Sequence, residues 1–318
     1  MFVPVELSHP AYSQEDEARQ FIETILWPDG PYCPFCGLSD SVKALGGQSM
    51  GPGWYHCAEC RKKFTVRVGT VFERSHIPLR KWLLGFRLYA GSKKGFSAHQ
   101  LHRTLKITYR SAWFMAHRIR EAMRDDSPTP LGGEGKTIEM DETFIGPPKW
   151  IYSNDRGWLQ ANTVDHKRKV FALLERGGKA RTFHVDGLSV ADLWPIIARN
   201  TDARSDLNTD EAPRYKSIGR QFAKHEAVNH SEKEYSRKGG TVTTNTVEGY
   251  FSIFKRGMRG VYHHCGEQHL QRYLHEFDFR YSNRSALGVE DAERTTRAIK
   301  GAAGKRLTYR RTGRQSVA

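Results

Sequence analysis

Two Cys-x-x-Cys pairs, Cys33/Cys36 and Cys57/Cys60, use four of the chain's five cysteines and stand twenty residues apart. Each pair can turn two thiolates toward one ion, and two pairs complete a tetrahedron around Zn²⁺. So short a segment buries too little apolar surface to fold alone, and a bound metal supplies the missing folding energy. Gly37, Gly46, Gly47, Gly51, Pro52 and Gly53 suit the turns between the knuckles, and Trp54, Tyr55 and Phe64 would pack the small sheet. The competing readings of such cysteines are disulfides or a redox pair. The acidic N-terminus, MFVPVELSHPAYSQEDEARQ, has no secretory order of basic then apolar residues, which disfavours disulfides. A redox motif needs one pair only.

Charge is clustered. The net charge is +15 over 318 residues. Residues 1–30 hold six acids against one Arg, whereas residues 61–124 hold sixteen Lys/Arg against two Glu. The last 25 residues carry eight Lys/Arg and no acid. Such clustering favours a nucleic-acid surface over an evenly solvated one. No run of apolar residues is long enough to span a membrane, so the reading is a cytoplasmic, nucleoid-associated protein of prokaryotic type.

The expected fold class is a multidomain α+β and α/β protein. Residues 15–70 read as a zinc ribbon with its ligand core at 33–60. Residues 78–126 read as a basic helical module. Trp82, Leu83, Phe86, Tyr89 and Ala90 recur at helical spacing. Ser97 is positioned to cap a short helix carrying Leu101 and Leu105, KITYR reads as a turn, and a longer helix runs from Ser111 to Met123. Short helix, tight turn, longer helix is the helix-turn-helix order. It would set Arg110, His117, Arg118 and Arg120 near phosphates or bases; a plain helical bundle, or a role in dimerisation, is the alternative. SPTPLGGEG, residues 127–135, reads as a linker.

Residues 135–285 read as a domain where chemistry resides. A strand is expected over Thr137–Phe144, with Ile138 and Met140 on one face and Glu139 and Asp141 on the other. Strands at 169–176 and 181–187, joined by GGKA, read as a hairpin. A helix at 189–200 follows, then a short strand ending at Asp210, then a helix at 244–260 bearing Glu248, with Lys255 seven residues on and on the same face. Three carboxylates from separate elements, Asp141, Asp210 and Glu248, can converge on Mg²⁺ or Mn²⁺. Glu139, Glu142, Asp186 and Glu211 are other candidates.

YHHCGEQH gathers His263, His264, Cys265 and His269 and reads as a turn and helix start rather than a second metal site. Trp150 and Trp158 have the sizes for base stacking, but core packing is the expectation for them, as for Phe96 and Trp113. Residues 286–318 read as a basic, mobile tail.

The motifs CPFCG…YHCAECRKKFTVRVGTVFERSHIPLRKW, EMDETFIG, NTDEAPRY and TNTVEGYFSIFKRGMRGVYHHCGEQHLQRYLHEFDFRYSNR are similar to those of ISXO-two-like insertion-sequence transposases. The resemblance runs over roughly residues 15–285. That family pairs an N-terminal zinc ribbon with an RNase H-like DDE domain. The resemblance implies Asp141 and Asp210 as the first two metal-binding acids. The third position varies between Asn, Glu and His in this group, and the chain offers both Asn245 and Glu248. Glu248 is favoured because its spacing to Lys255 suits an acid-then-lysine arrangement; Asn245 stays open. Lys255 and the adjacent Arg256 are expected at DNA. The implied activity is metal-dependent cleavage at the terminal repeats of a mobile element and transfer of the strand to target DNA, by a homo-oligomer that holds two ends. A zinc-ribbon DNA-binding protein without catalysis, and a nuclease that cuts without joining, are the rival readings.

Overall fold

The computed structural model describes residues 6–47, 50–147, 149–155, 157–160, 163–164, 166–232 and 234–308. The chain divides into two compact units: the residues up to Arg124 together with those from Arg284 onward, and Asp125–Asn283 between them.

The first unit opens with α1 (Glu15–Leu26), which buries Ala18, Ile22, Ile25 and Leu26 along one stripe. Its first turn is acidic, which suits the positive end of a helix dipole. Glu15 has a second task. Its carboxylate accepts the backbone N–H of Leu79 at 2.6 Å and of Arg80 at 3.2 Å, capping α2 (Leu79–Gly91). α1 thus reaches both ways: Glu15 caps α2, and Glu23 accepts from the Tyr55 hydroxyl of the ribbon at 3.2 Å. The ribbon proper is a three-stranded antiparallel sheet, β1 (Val42–Ala44), β2 (Tyr55–Cys57) and β3 (Lys63–Phe64). Trp27, Tyr55 and Phe64 pack ring against ring beside it, with centroids 5.2–6.1 Å apart.

Ser97 caps α3 (Ala98–Leu105) in a reciprocal capping box with Gln100. Lys106 takes a left-handed conformation, and Thr108 caps α4 (Tyr109–Ala122). The helix-turn-helix order is therefore present, with the second helix starting two residues before the expected Ser111.

In the second unit a five-stranded sheet runs in the order β12-β11-β5-β8-β9. Its strands enter the chain among smaller pairs. The short β4 (Leu131–Gly132) precedes β5 (Thr137–Ile145), the hairpin β6 (Trp150–Ser153) and β7 (Gly157–Gln160) follows, and then come β8 (Arg168–Glu175) and β9 (Ala180–Val185). Next are α5 (Val190–Asn200), β10 (Thr201–Asp202), which pairs with β4, β11 (Asp206–Thr209), α6 (Pro213–Gly219) and β12 (Lys224–Ala227). β8 runs antiparallel to both β5 and β9, while β11 and β12 run parallel to β5. α7 (Asn245–Gly257) and α8 (Glu267–Ser282) complete the unit.

Strand periodicity explains how both sheet faces are covered. Along β8, Val170, Ala172 and Leu174 face a core built by α7 and α8. The intervening Phe171 and Leu173 join Ile138, Met140, Leu207 and residues of α5 and α6 on the opposite face. A central strand buried on both sides reads as a nearly continuous apolar run, and RKVFALLE does.

Two expectations are corrected. The segment after residue 285 is not simply a tail: α9 (Asp291–Lys300) packs on α1, α2 and α4 of the first unit. Ala298 and Ile299 are fully buried, and Arg294 donates to the carbonyl of Ala90 at 3.2 Å. Residues 309–318 lie outside the described residues. Trp150 and Trp158 are not core residues either. On the β6–β7 hairpin they are 56% and 68% exposed, whereas Phe96 and Trp113 are half-buried.

Candidate functional site

The four cysteines of the ribbon form one cluster. Their Sγ atoms all lie within 4.8 Å of one another, with Cys33···Cys60 at 3.5 Å and Cys36···Cys57 at 3.6 Å. Zn–S bonds of about 2.3 Å in a tetrahedron place sulfurs about 3.8 Å apart, so this arrangement fits zinc with little movement. Burial opposes ionisation of Cys33, but backbone hydrogen bonds from Phe35 and Cys36 outweigh it and bring the thiol down to about 7. The same clustering pushes Cys36 up to about 12 and Cys60 up as well, so the thiols oppose one another's ionisation until a cation joins them.

The candidate catalytic carboxylates lie in the second unit. Asp141 sits mid-strand on β5. The parallel register pairs Asn208 of β11 with Glu139; continued two residues, it sets Asp210 beside Asp141. Adjacent strands lie about 4.8 Å apart, so register alone makes these two acids neighbours. Asp141 is pushed up to about 8, first by burial and then by the charges of Glu142, Asp210 and Glu248, against one backbone hydrogen bond from Glu142 at 2.8 Å. Such mutual repulsion is what a divalent cation removes. The donor set, carboxylate oxygens on separate elements, suits Mg²⁺ or Mn²⁺. Asp141, Asp210 and Glu248 do not, however, bring three oxygens within 4.8 Å; among the described residues the cysteines alone form a cluster that tight.

Glu248 lies in the first turn of α7, where its carboxylate accepts the Thr244 hydroxyl at 2.9 Å and lies 3.6 Å from His230. Asn245, the first residue of α7, is exposed one turn earlier. Two turns beyond Glu248, burial lowers the Lys255 pKa; Arg259 and Lys167 add to that, and Asp141 opposes it. Lys255 is thus within reach of the Asp141 charge. Arg256 is exposed and donates to the Ser252 hydroxyl at 2.6 Å.

Three of the other acids, Glu139, Glu142 and Glu211, have structural partners. Glu142 accepts from the Tyr215 hydroxyl at 2.5 Å and pairs with Arg214 at 2.7 Å. Glu211 holds Ser231 and the backbone N–H of His230, which keeps its carboxyl down at about 2. Asp186 is exposed and near no described metal cluster. Glu139 is fully buried. It accepts from Arg176 at 2.7 Å and from the backbone N–H groups of Thr246 and Val247, both at 2.9 Å. Glu139 therefore anchors α7 to β5. Sequence reasoning gave it no such role, because Arg176 lies 37 residues away.

The basic helical module needs a further correction. Arg118 and Arg120 are 5% and 2% exposed, and His117 is buried with them. Arg118 donates to the carbonyls of Val71 and Glu73 at 2.7 and 2.8 Å. These side chains hold the unit together and are not available to DNA. Arg110 is exposed at the start of α4. His263, His264 and Cys265 follow a π-turn at Met258–Tyr262, ahead of α8, and belong to no metal cluster among the described residues.

Residues 13–63 match a family described as a transposase zinc-ribbon domain, and residues 130–282 match the ISXO2-like transposase domain. A protein of Halobacterium salinarum, described as an uncharacterized protein in transposable element ISH50, is 28% identical over 283 residues. That match covers 85% of this chain and 91% of the relative. No described helix is long and apolar enough to cross a membrane. Ribbon and acid-bearing domain are matched in one order along one chain: a transposase zinc-ribbon domain is followed by an ISXO2-like transposase domain.

Proposed function

We propose that the protein is a DNA transposase that binds the terminal repeats of its element, cleaves there and joins the freed 3′-OH to target DNA. The second unit is read as an RNase H-like catalytic domain. Its sheet order supports this: three antiparallel strands, β5, β8 and β9, are extended by two parallel ones on the β5 side. One observation carries the reading. The register of β11 on β5, continued past Asn208 and Glu139, brings Asp210 toward Asp141, whose pKa its charge raises, and Glu139 pins the start of α7, with Asn245 and Glu248, to the same central strand.

Asp141 and Asp210 would hold Mg²⁺ or Mn²⁺, with Glu248 as the preferred third ligand and Asn245 as the other. The bound cations supply activation of a water or 3′-OH and stabilisation of the leaving oxygen. Glu248 accepts the Thr244 hydroxyl, an orientation that binding of an ion would compete with. Lys255 lies on the Asp141 side of α7 and would hold a phosphate by its charge. In the first unit, structural zinc would set the ribbon, and exposed cations such as Arg110 would meet DNA. Two element ends must be held together, which calls for a dimer or larger assembly.

The test is joining of a labelled element-end duplex into plasmid with Mg²⁺, comparing wild type with Asp141→Ala, Asp210→Ala, Asn245→Ala and Glu248→Ala. Loss in both aspartate variants and in one of the other two supports the reading and names the third ligand. Cutting without joining by the wild type would make the protein a nuclease instead.

A further inference from the structure

A cavity of about 460 Å³ opens where β5 ends and β8 begins, walled on the other side by the last turn of α7 and the π-turn after it. Lys167, Arg168, Lys255, Arg259, His263 and His264 line it, and no described Asp or Glu does. Arg168 is engaged in the wall, donating to the Cys265 carbonyl at 2.6 Å. The charges of Arg259 and Lys167 both act on Lys255, which also feels the Asp141 charge.

Like charges that converge without acids between them are costly unless an anion joins them. The backbone here is also unusual. π-turns are rare and concentrate at functional sites. The turn ends at His263, whose φ of 57° with ψ of −51° is strained for a residue with a Cβ. It carries the chain from Arg259 round to the histidines on the cavity rim. The cavity is of ligand size, and its cations match the regular charge of a nucleic-acid backbone better than a single small anion.

We propose that this cavity seats the backbone phosphates of the DNA strand that flanks the phosphodiester at the carboxylates, with Lys167 and Arg259 as contact residues beside Lys255. The identity of the strand rests on the transposase reading; the binding of a polynucleotide there does not.

The experiment is acetylation of lysines in the full-length zinc-loaded protein, read by mass spectrometry, with and without a mixed-sequence DNA duplex. The duplex should protect Lys167 and Lys255 and leave the exposed Lys179 unchanged. Equal labelling of Lys167 with and without duplex overturns the proposal, as does equal protection by deoxynucleoside triphosphates. In parallel, Lys167→Ala with Arg259→Ala should lower the slope of log Kd against log salt by about two, near 0.9 for each lost phosphate contact. Both side chains reach solvent, so folding should survive, and an unchanged slope counts against the site. Asp141→Ala should keep both protection and slope. Joining that fails while protection persists would sink the transposase reading alone; protection that fails while joining persists would sink the cavity alone.

Discussion

The carboxylate of Glu139 on β5 accepts the backbone N–H of Val247 in the first turn of α7 at 2.9 Å. One buried acid thus ties the strand bearing Asp141 to the helix bearing Glu248. Thr246 gives it two more hydrogen bonds, and Arg176 clasps it while also holding the carbonyls of Thr241 and Thr243. Glu139→Ala should lower stability by about 3 kcal/mol, because it leaves Arg176 and two helix N–H groups without their acceptor. Urea denaturation measures this. Glu139→Gln should cost less and still lower joining, with zinc content unchanged. A Glu139→Ala protein as stable as the wild type would remove the anchor.

Zinc removal should act on the first unit. Cys57→Ser, or chelation of the wild type, should abolish one bound zinc per chain and weaken DNA binding, while the sheet of the second unit keeps its circular dichroism. Metal analysis beside a binding titration checks both. Full-affinity binding without zinc would contradict a structural metal.

Arg118 and Arg110 should separate. Arg118→Ala leaves the carbonyls of Val71 and Glu73 without their buried donor and should cost about 2 kcal/mol of stability. Arg110→Ala, at an exposed position, should change stability by no more than about 0.5 kcal/mol and weaken DNA binding. Thermal melts and salt-dependent binding, done on both, distinguish them. The reverse pattern would restore Arg118 to the DNA surface.

Stability should also depend on pH through Asp278 of α8. Burial raises its carboxyl from 3.8 to about 7, against hydrogen bonds from the Tyr250 hydroxyl and from Thr182 and the charge of Arg181. Between roughly pH 4 and pH 7 the unfolded chain has lost this proton and the folded chain keeps it. Stability therefore falls as pH rises through that window, by up to about 1.4 kcal/mol per pH unit, and levels off above it. The Tyr250 hydroxyl, itself raised by burial, stays neutral there. Melting curves across the window should show a shallower pH dependence for Asp278→Asn than for wild type; identical slopes would refute the assignment.

The sequence carried the local features well. Ser97 is a cap, the helix expected at 189–200 and the GGKA hairpin are present, and the alternation on β5 puts Glu139 and Asp141 on the face that meets α7. What it could not carry is long-range. Glu139 and Asp141 are equivalent by periodicity, and only Arg176 and the start of α7 tell the anchor from the candidate ligand. The side of Asp141 on which Asp210 falls depends on a parallel register across 68 intervening residues. Arg118 looked like a DNA contact because its charge was legible and its inward direction was not. Helix α9 was hidden by basic composition, although Asp291 and Glu293 in its first turn and Arg297 and Lys300 in its last are the dipole signature of a helix.

That helix has a consequence in time. The ribbon and helices α1–α4 leave the ribosome first, but their unit is finished only when α9 arrives, after every residue of the second unit. Arg294 then reaches the carbonyl of Ala90 across 204 positions of chain. A nascent chain thus presents a complete sheet domain before its first unit can close. Loss of α9 through a late frameshift would leave the apolar stripe of α2 uncovered. Copies of such a gene that decay from their 3′ end should lose the fold of the zinc-bearing unit well before they lose the aspartates.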